Sequence, residues 1–245
     1  WLGWRSAFII PGAICLGMGV ALALLIALGV VEDRKGDVKP QPKASRGDVI
    51  RAFFVLSVTM VCAGLMFNGM QVVLPKLFDA RLGHLMGDST LGVGGLVTAV
   101  YLFAALPQLI GGHLADKFPL KRIYTLCLLI QIPMMAAVAV LADLPLVAAA
   151  ALVVVASQVQ IPAENLLLPR YTPEKHRGLA YGAKFILSFG AGPLAVQLVA
   201  YVYERTGEFV MLYITLSVLA AVAFLAALLL PADRDGGKSV EPVPA

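Results

Sequence analysis

Charge is scarce in this chain: Asp, Glu, Lys and Arg together make up 14% of 245 residues, against roughly 25% in a soluble domain. The shortfall is uneven. Charged residues cluster in short patches, and the apolar runs between them reach the roughly 20 residues needed to cross a bilayer core. An ordinary soluble domain is thereby excluded. Cysteine is scarce too. Cys15, Cys62 and Cys127 all fall inside apolar runs and no CxxC spacing occurs, which argues against a disulfide framework or a metal cluster. His84, His113 and His176 lie in loops or at span ends, so no Ser–His pairing or zinc site is available within the membrane. No GxxxxGK[ST] sequence is present to cradle a phosphate. Catalysis is not expected, nor is a metal or a cofactor.

What is there is hydrophobic residue in long stretches, 60% of the chain, with a mean hydropathy of +0.86. The pattern predicts an all-α integral membrane protein with spans at 7–31, 52–75, 91–112, 123–142, 144–168, 178–203 and 209–230. Backbone groups in lipid must be satisfied within their own segment, so runs of this length are helices. The first run is too long for a signal-peptide core. The chain opens on Trp1 rather than Met and enters that run within a few residues, which reads as a piece whose upstream part is missing. Segment 32–51 is charged and punctuated by Pro40 and Pro42, a flexible connection by composition.

The net charge of +4 and pI near 9.0 would suggest nucleic acid in a soluble protein. Here the basic residues flank apolar runs and report orientation instead. Fifteen of the nineteen Lys and Arg fall on one side, in 32–51, 113–122, 169–184 and the tail; Arg5, Lys76, Arg81 and Arg205 fall on the other. The richer side is cytoplasmic by the positive-inside rule. A multi-pass protein of the inner (plasma) membrane is expected, its N-terminus outside and its C-terminus in the cytoplasm.

Polar residues inside spans are costly and usually face a bundle interior or an aqueous cavity. Span 2 carries Gly64, Asn68, Gln71 and Pro75 along one face; span 3 carries Gly94, Thr98, Tyr101, Ala105, Gln108 and Gly112. Span 5 carries Ser157, Gln160 and Glu164 with Gln158 and Asn165 beside them, and span 6 carries Lys184, Ser188 and Gln197. Span 4 has Gln131 as its one strong polar group, and spans 1 and 7 have none. A single Asn or Gln is ordinarily glue between helices. Four striped helices point to a polar cavity enclosed by spans 2, 3, 5 and 6, with 1, 4 and 7 turned outward. Its candidate substrate or coupling residues are Asn68, Gln71, Tyr101, Gln108, Gln160, Glu164, Lys184 and Ser188. Glu164 and Lys184 lie about 6 and 9 Å from the cytoplasmic ends of their spans at 1.5 Å per residue, hence at similar depth on consecutive helices. Two readings of them stay open: a local pair with Lys184 snorkelling to the interface, or a gate, proton site or handle for a charged solute.

The loop Gly112-His113-Leu114-Ala115-Asp116-Lys117-Phe118-Pro119-Leu120-Lys121-Arg122 resembles the G-x-L-a-D-[RK]-x-G-[RK]-[RK] signature of the major facilitator superfamily, in its second-half copy between helices 8 and 9. Pro119 stands where Gly is usual, and Leu120 delays the basic pair by one position. Gly3-Trp4-Arg5 is similar to the stretch leading into helix 6, and Arg177 to Gly182, followed by Gly190, Gly192 and Pro193, to the start of helix 11. The resemblance covers the whole chain and implies a C-terminal six-helix half at 52–230. That half would follow the last helix of a missing N-terminal half (1–31) and a central cytoplasmic loop (32–51), and precede a disordered cytoplasmic tail (231–245). It also implies that helices 7, 8, 10 and 11 line a cavity, and that Gly112, Asp116, Lys117, Lys121 and Arg122 form a conformational motif at the helix 8/9 turn.

The function expected is secondary transport of a small organic or drug-like solute by alternating access, with proton coupling. The expected partners are the bilayer, the solute, a proton and the missing half, with no nucleic acid. A seven-helix receptor or retinal protein shares the topology, but 209–230 holds no Lys for retinal. A membrane scaffold, its polar stripes serving only packing, is the third reading.

Overall fold

The computed structural model describes residues 5–30, 46–86 and 90–231; most of the expected central loop, and the expected tail from 232 onward, lie outside them. It contains seven helices long and apolar enough to cross a membrane, and no strand among the described residues. The chain divides into two units, Trp1–Pro42 and Lys43–Ala245. The first holds α1 (Ser6–Ala27), whose interior from Ala7 onward has no charged or amide side chain, so it is apolar on every face as suits a lipid-immersed helix. Pro11 falls in its second turn.

The second unit comprises α2 (Arg46–Met86), α3 (Thr90–Lys117), α4 (Leu120–Val140), α5 (Asp143–Tyr171), α6 (Arg177–Thr206) and α7 (Val210–Leu228), with one 3-10 turn at Glu174–His176 before α6. Several helices outrun the expected spans. α2 begins at Arg46 rather than 52 and passes through Pro75 to Met86. A proline inside a membrane helix frees one carbonyl without ending the helix, because neighbouring groups can satisfy it. At 41 residues α2 is about 60 Å long, roughly twice the hydrocarbon thickness, so its ends stand in the polar layers.

Within this unit α2 packs on α6 and α7, α5 on α3 and α4, and α4 on α7. Two glycines permit the closest crossings. A Cβ on Gly64 of α2 would stand 2.8 Å from the Ser188 carbonyl oxygen and the Ala191 Cβ of α6. On Gly111 of α3 it would stand 2.8 Å from the Val159 carbonyl oxygen of α5. Small residues at such points let backbones approach where no hydrophobic drive holds helices together. The core between the helices is filled by Leu56, Met66, Leu74, Leu77, Phe78, Tyr124, Leu128 and Tyr213.

Two basic side chains close helix ends. Arg81 of α2 donates to the carbonyls of Val138 (3.1 Å), Ala139 (2.8 Å) and Leu141 (2.6 Å) at the C-terminus of α4. Lys121, in the first turn of α4, donates to the carbonyls of Leu228 (2.8 Å) and Leu230 (2.5 Å) at the C-terminus of α7. Each cation meets carbonyls that the helix cannot satisfy and the negative end of its dipole.

Candidate functional site

A recess of about 240 Å³ opens between α2, α5 and α6, floored in part by α4. α2 contributes Gly64, Phe67 and Asn68, α4 contributes Gln131, α5 contributes Ser157, Gln160, Glu164 and Asn165, and α6 contributes Lys184, Phe185, Ser188 and Phe189. The side chains from α5 recur every three or four residues, the period that keeps them on one helical face.

Its ionic centre is a buried pair. Lys184 Nζ stands 2.8 Å from Glu164 Oε1, with both side chains under a tenth exposed. The two residues lie seven positions from the end of α5 and the start of α6, about 10 Å deep along each helix, so the pair is level. Burial of two charges costs several kcal/mol per ion, and the hydrogen bonds around the pair offset part of that cost. Lys184 also donates to Asn165 Oδ1 at 2.5 Å, and Tyr124 of α4 donates its hydroxyl to Glu164 Oε2 at 3.2 Å. Tyr181 donates to the Asn165 carbonyl at 2.8 Å, bracing α6 on α5 at the same level.

Beside the pair runs a neutral chain. Ser157 Oγ donates to Gln131 Oε1 (3.3 Å), and Gln131 Nε2 donates to Gln160 Oε1 (2.8 Å). Across the recess Asn68 Nδ2 donates to the carbonyl of Gly64 (2.8 Å), a bond internal to α2. The aromatic part is Phe67, Phe185 and Phe189, the last two with ring centroids 5.8 Å apart and nearly parallel.

Of the eight residues singled out from sequence, Asn68, Gln160, Glu164, Lys184 and Ser188 line this recess. Gln71 and Gln108 are exposed and Tyr101 is half-buried, all outside it. α3 therefore contributes nothing to the recess, whereas α4, expected to face outward, contributes Gln131 to it and, behind it, the Tyr124 hydroxyl to Glu164. The reason is packing: α4 lies directly along α5, and a Gln on that seam reaches Gln160. Gln131 was legible as the one strong polar group of its span and Asn165 as a neighbour of the span-5 stripe; the phenylalanines carried no distinguishing signal.

The loop motif is more dispersed. Phe118 and Pro119 alone join α3 to α4, and Pro119 occupies the N-cap position. Asp116, Lys117 and Arg122 are exposed, Gly112 has open space where a Cβ would stand, and Lys121 is spent on the end of α7. No group of three His, Cys, Asp or Glu suited to a metal occurs among the described residues.

The sequence profile of the Major Facilitator Superfamily matches residues 82–245, about two thirds of the chain. The chain belongs to the Major Facilitator Superfamily. It is accordingly a multi-pass membrane protein of a transporter family, and the matched region takes in α3 to α7 and the end of α2. Comparison with curated proteins returned no match.

Proposed function

We propose that this superfamily member is the C-terminal portion of a secondary transporter that moves a small organic solute by alternating access, coupled to protons. In this reading α1 is the last helix of a preceding half, and 32–51 is the central cytoplasmic loop. α2 to α7 form the second six-helix half in the inner (plasma) membrane, with the C-terminus cytoplasmic. The observation that carries it is the buried Lys184–Glu164 pair on the wall of a recess with aromatic and amide neighbours. Intramembrane charges are expensive to keep and mark solute or proton pathways when they border a cavity. A scaffold whose polar groups only glue helices together has no use for an ion pair beside open space. Gln71, Tyr101 and Gln108 are further contacts in this proposal, on faces of α2 and α3 that would meet the other half. Asp116, Lys117 and Arg122 then act at a cytoplasmic junction between helices, where a bistable contact can be biased.

Solute flux into proteoliposomes holding the full-length protein tests the reading. Flux driven by a proton gradient, and lost when Ser188→Trp fills the recess at equal folded yield, is the expected result. Absence of any gradient-driven flux across a broad panel of solutes would return the recess to a packing defect. Orientation has its own test in intact cells. An impermeant thiol reagent should label Glu208→Cys and spare Glu174→Cys, because the loop carrying Glu174 lies on the basic side. The reverse pattern would invert the topology.

A further inference from the structure

The two partners of the buried pair differ in what they have left to offer. Glu164 has both oxygens engaged, one by Lys184 and one by Tyr124, which is itself fully buried. Lys184 has three donors and uses two, on Glu164 and Asn165. Lys184 also stands among Phe185, Ser188 and Phe189 on the recess wall, while Tyr124 is not among the recess residues. Both charges line the recess, and the one with a donor to spare for a solute is the ammonium.

Suppose Glu164 takes up a proton. The neutral carboxylic acid keeps its place, because the Tyr124 hydroxyl oxygen and the nearby amides can accept the new O–H. Lys184 keeps Asn165 but loses its counter-charge, and a buried ammonium without one is strongly destabilising. An anion must arrive with the proton. The opposite exchange, a cationic solute on Glu164, would have to displace Lys184 from two acceptors and strip its proton. Among the described residues no second acid lines the recess to take the ammonium over. The groups facing Glu164 support the same choice. α4 presents Tyr124 and Gln131, α6 presents Lys184, α2 presents only neutral residues to the recess, and α3 presents none. The rest of the wall is amide, hydroxyl and aromatic, with Phe185 and Phe189 of α6 stacked and Phe67 contributed by α2, and a volume of about 240 Å³ suits one or two rings.

We propose that the recess takes an organic monoanion bearing an aromatic ring, whose anionic group replaces Glu164 on Lys184 as Glu164 is protonated. The balance is closed: carboxylate plus proton gives the acid, the solute anion takes the freed site on the ammonium, and the net charge of the site stays zero. One proton travels with each anion, so transport is electroneutral. This rests on the recess being the translocation site, and its binding step can be read apart from transport.

Naphthoate, naphthylmethylamine and naphthalenemethanol share a ring system and differ in charge, which makes them suitable probes of the purified full-length protein in weak buffer. Naphthoate should bind with uptake of about one proton, and its affinity should fall about tenfold per pH unit where Glu164 is ionised in the free protein. The amine and the alcohol should bind at least about tenfold more weakly. Glu164→Gln should bind naphthoate with no proton uptake and no pH dependence. Lys184→Met should lose more than about 100-fold in affinity. Should Lys184→Met fail to fold, the neutral double variant Glu164→Gln/Lys184→Met replaces it and should fold without binding naphthoate. Preference for the amine or alcohol, naphthoate binding without proton uptake, no naphthoate binding at all, or undiminished binding after loss of Lys184 would each overturn the proposal. In proteoliposomes, gradient-driven naphthoate uptake should be unchanged when the membrane potential is clamped at zero. If a cation or neutral solute is transported through the recess instead, the anion assignment fails while the transporter reading stands. If naphthoate binds as described and nothing is transported, the transporter reading fails alone.

Discussion

Arg81 and Lys184 are both held within this helical unit, and they are held differently. Arg81 spends its guanidinium on three backbone carbonyls at the end of α4. Lys184 spends its ammonium on a carboxylate and an amide beside a recess. A carbonyl does not titrate and cannot leave its helix, so Arg81 has one arrangement and serves architecture. A carboxylate can gain a proton, and a side chain can change rotamer, so Lys184 has at least two. The same physical demand, that a cation inside a membrane protein be satisfied, yields a fixed clasp in one place and a contact able to switch in the other. Arg is suited to the first by its rigid fork of donors, Lys to the second by its single mobile charge.

The comparison breaks most sharply at the pair. Neutralising one partner strands the other, which typically costs about 3–5 kcal/mol, whereas removing both is often tolerated. Glu164→Gln and Lys184→Met should each lower folded yield and thermal stability in detergent. The double variant should recover much of the folded yield. A well-folded double variant without flux would assign the charges to function. Single variants that behave like wild type would mean both groups are separately solvated, and the distinction between the two cations would dissolve.

Arg81 should give a smaller effect of another kind. Arg81→Met removes charge-assisted bonds worth about 1.5–3 kcal/mol and leaves the last carbonyls of α4 unmet. Thermal stability should fall by that amount, equally at every pH between 5 and 9, with flux per folded molecule unchanged. Arg81→Lys should recover only part, because an ammonium cannot span three carbonyls as the fork does. A loss of transport without loss of stability would show that the clasp also moves.

How far these features were legible in the sequence depends on the kind of signal each leaves. The spans were legible because length and apolarity are additive along the chain, and all seven appear as helices of membrane-crossing length. Their ends were not, since polar layers tolerate helix beyond the apolar run and Pro75 does not stop α2. Glu164 and Lys184 stood out as ionisable groups at matching depth in apolar surroundings. Arg81 registered only as a loop charge, because its partners are backbone carbonyls some 57–60 positions away, which leave no trace in residue identity. The same limit hid the glycines: Gly112 belongs to the recognisable loop motif, yet neighbouring Gly111 is the one pressed against α5.

The smallest effect should come from Gly64, where no charge is altered at all. A methyl group there would stand 2.8 Å from the Ser188 carbonyl oxygen, one turn along α6 from Lys184, and only 3.3 Å from the Ser188 Cα. Neither atom is the free end of a side chain, so α2 and α6 must part by several tenths of an ångström. Overpacking of this sort costs about 1–3 kcal/mol, and the better helix propensity of Ala returns up to about 1 kcal/mol of it. Gly64→Ala should therefore lower stability by about 1–2 kcal/mol on balance. Moving α6 should also draw Lys184 off Glu164, which is carried on α5, and so change the pH dependence of flux. The Arg81 clasp joins α2 to α4 and has no part in that contact, so Gly64→Ala with Arg81→Met should be additive in stability. Gly182→Ala is the control: it lies on α6 half a turn from Lys184 with nothing within 4 Å of its would-be Cβ, and should leave both stability and pH profile intact or slightly raise the former. An unchanged pH profile in Gly64→Ala, alongside the expected loss of stability, would mean that the pair tolerates helix displacement and is a looser contact than its 2.8 Å separation implies.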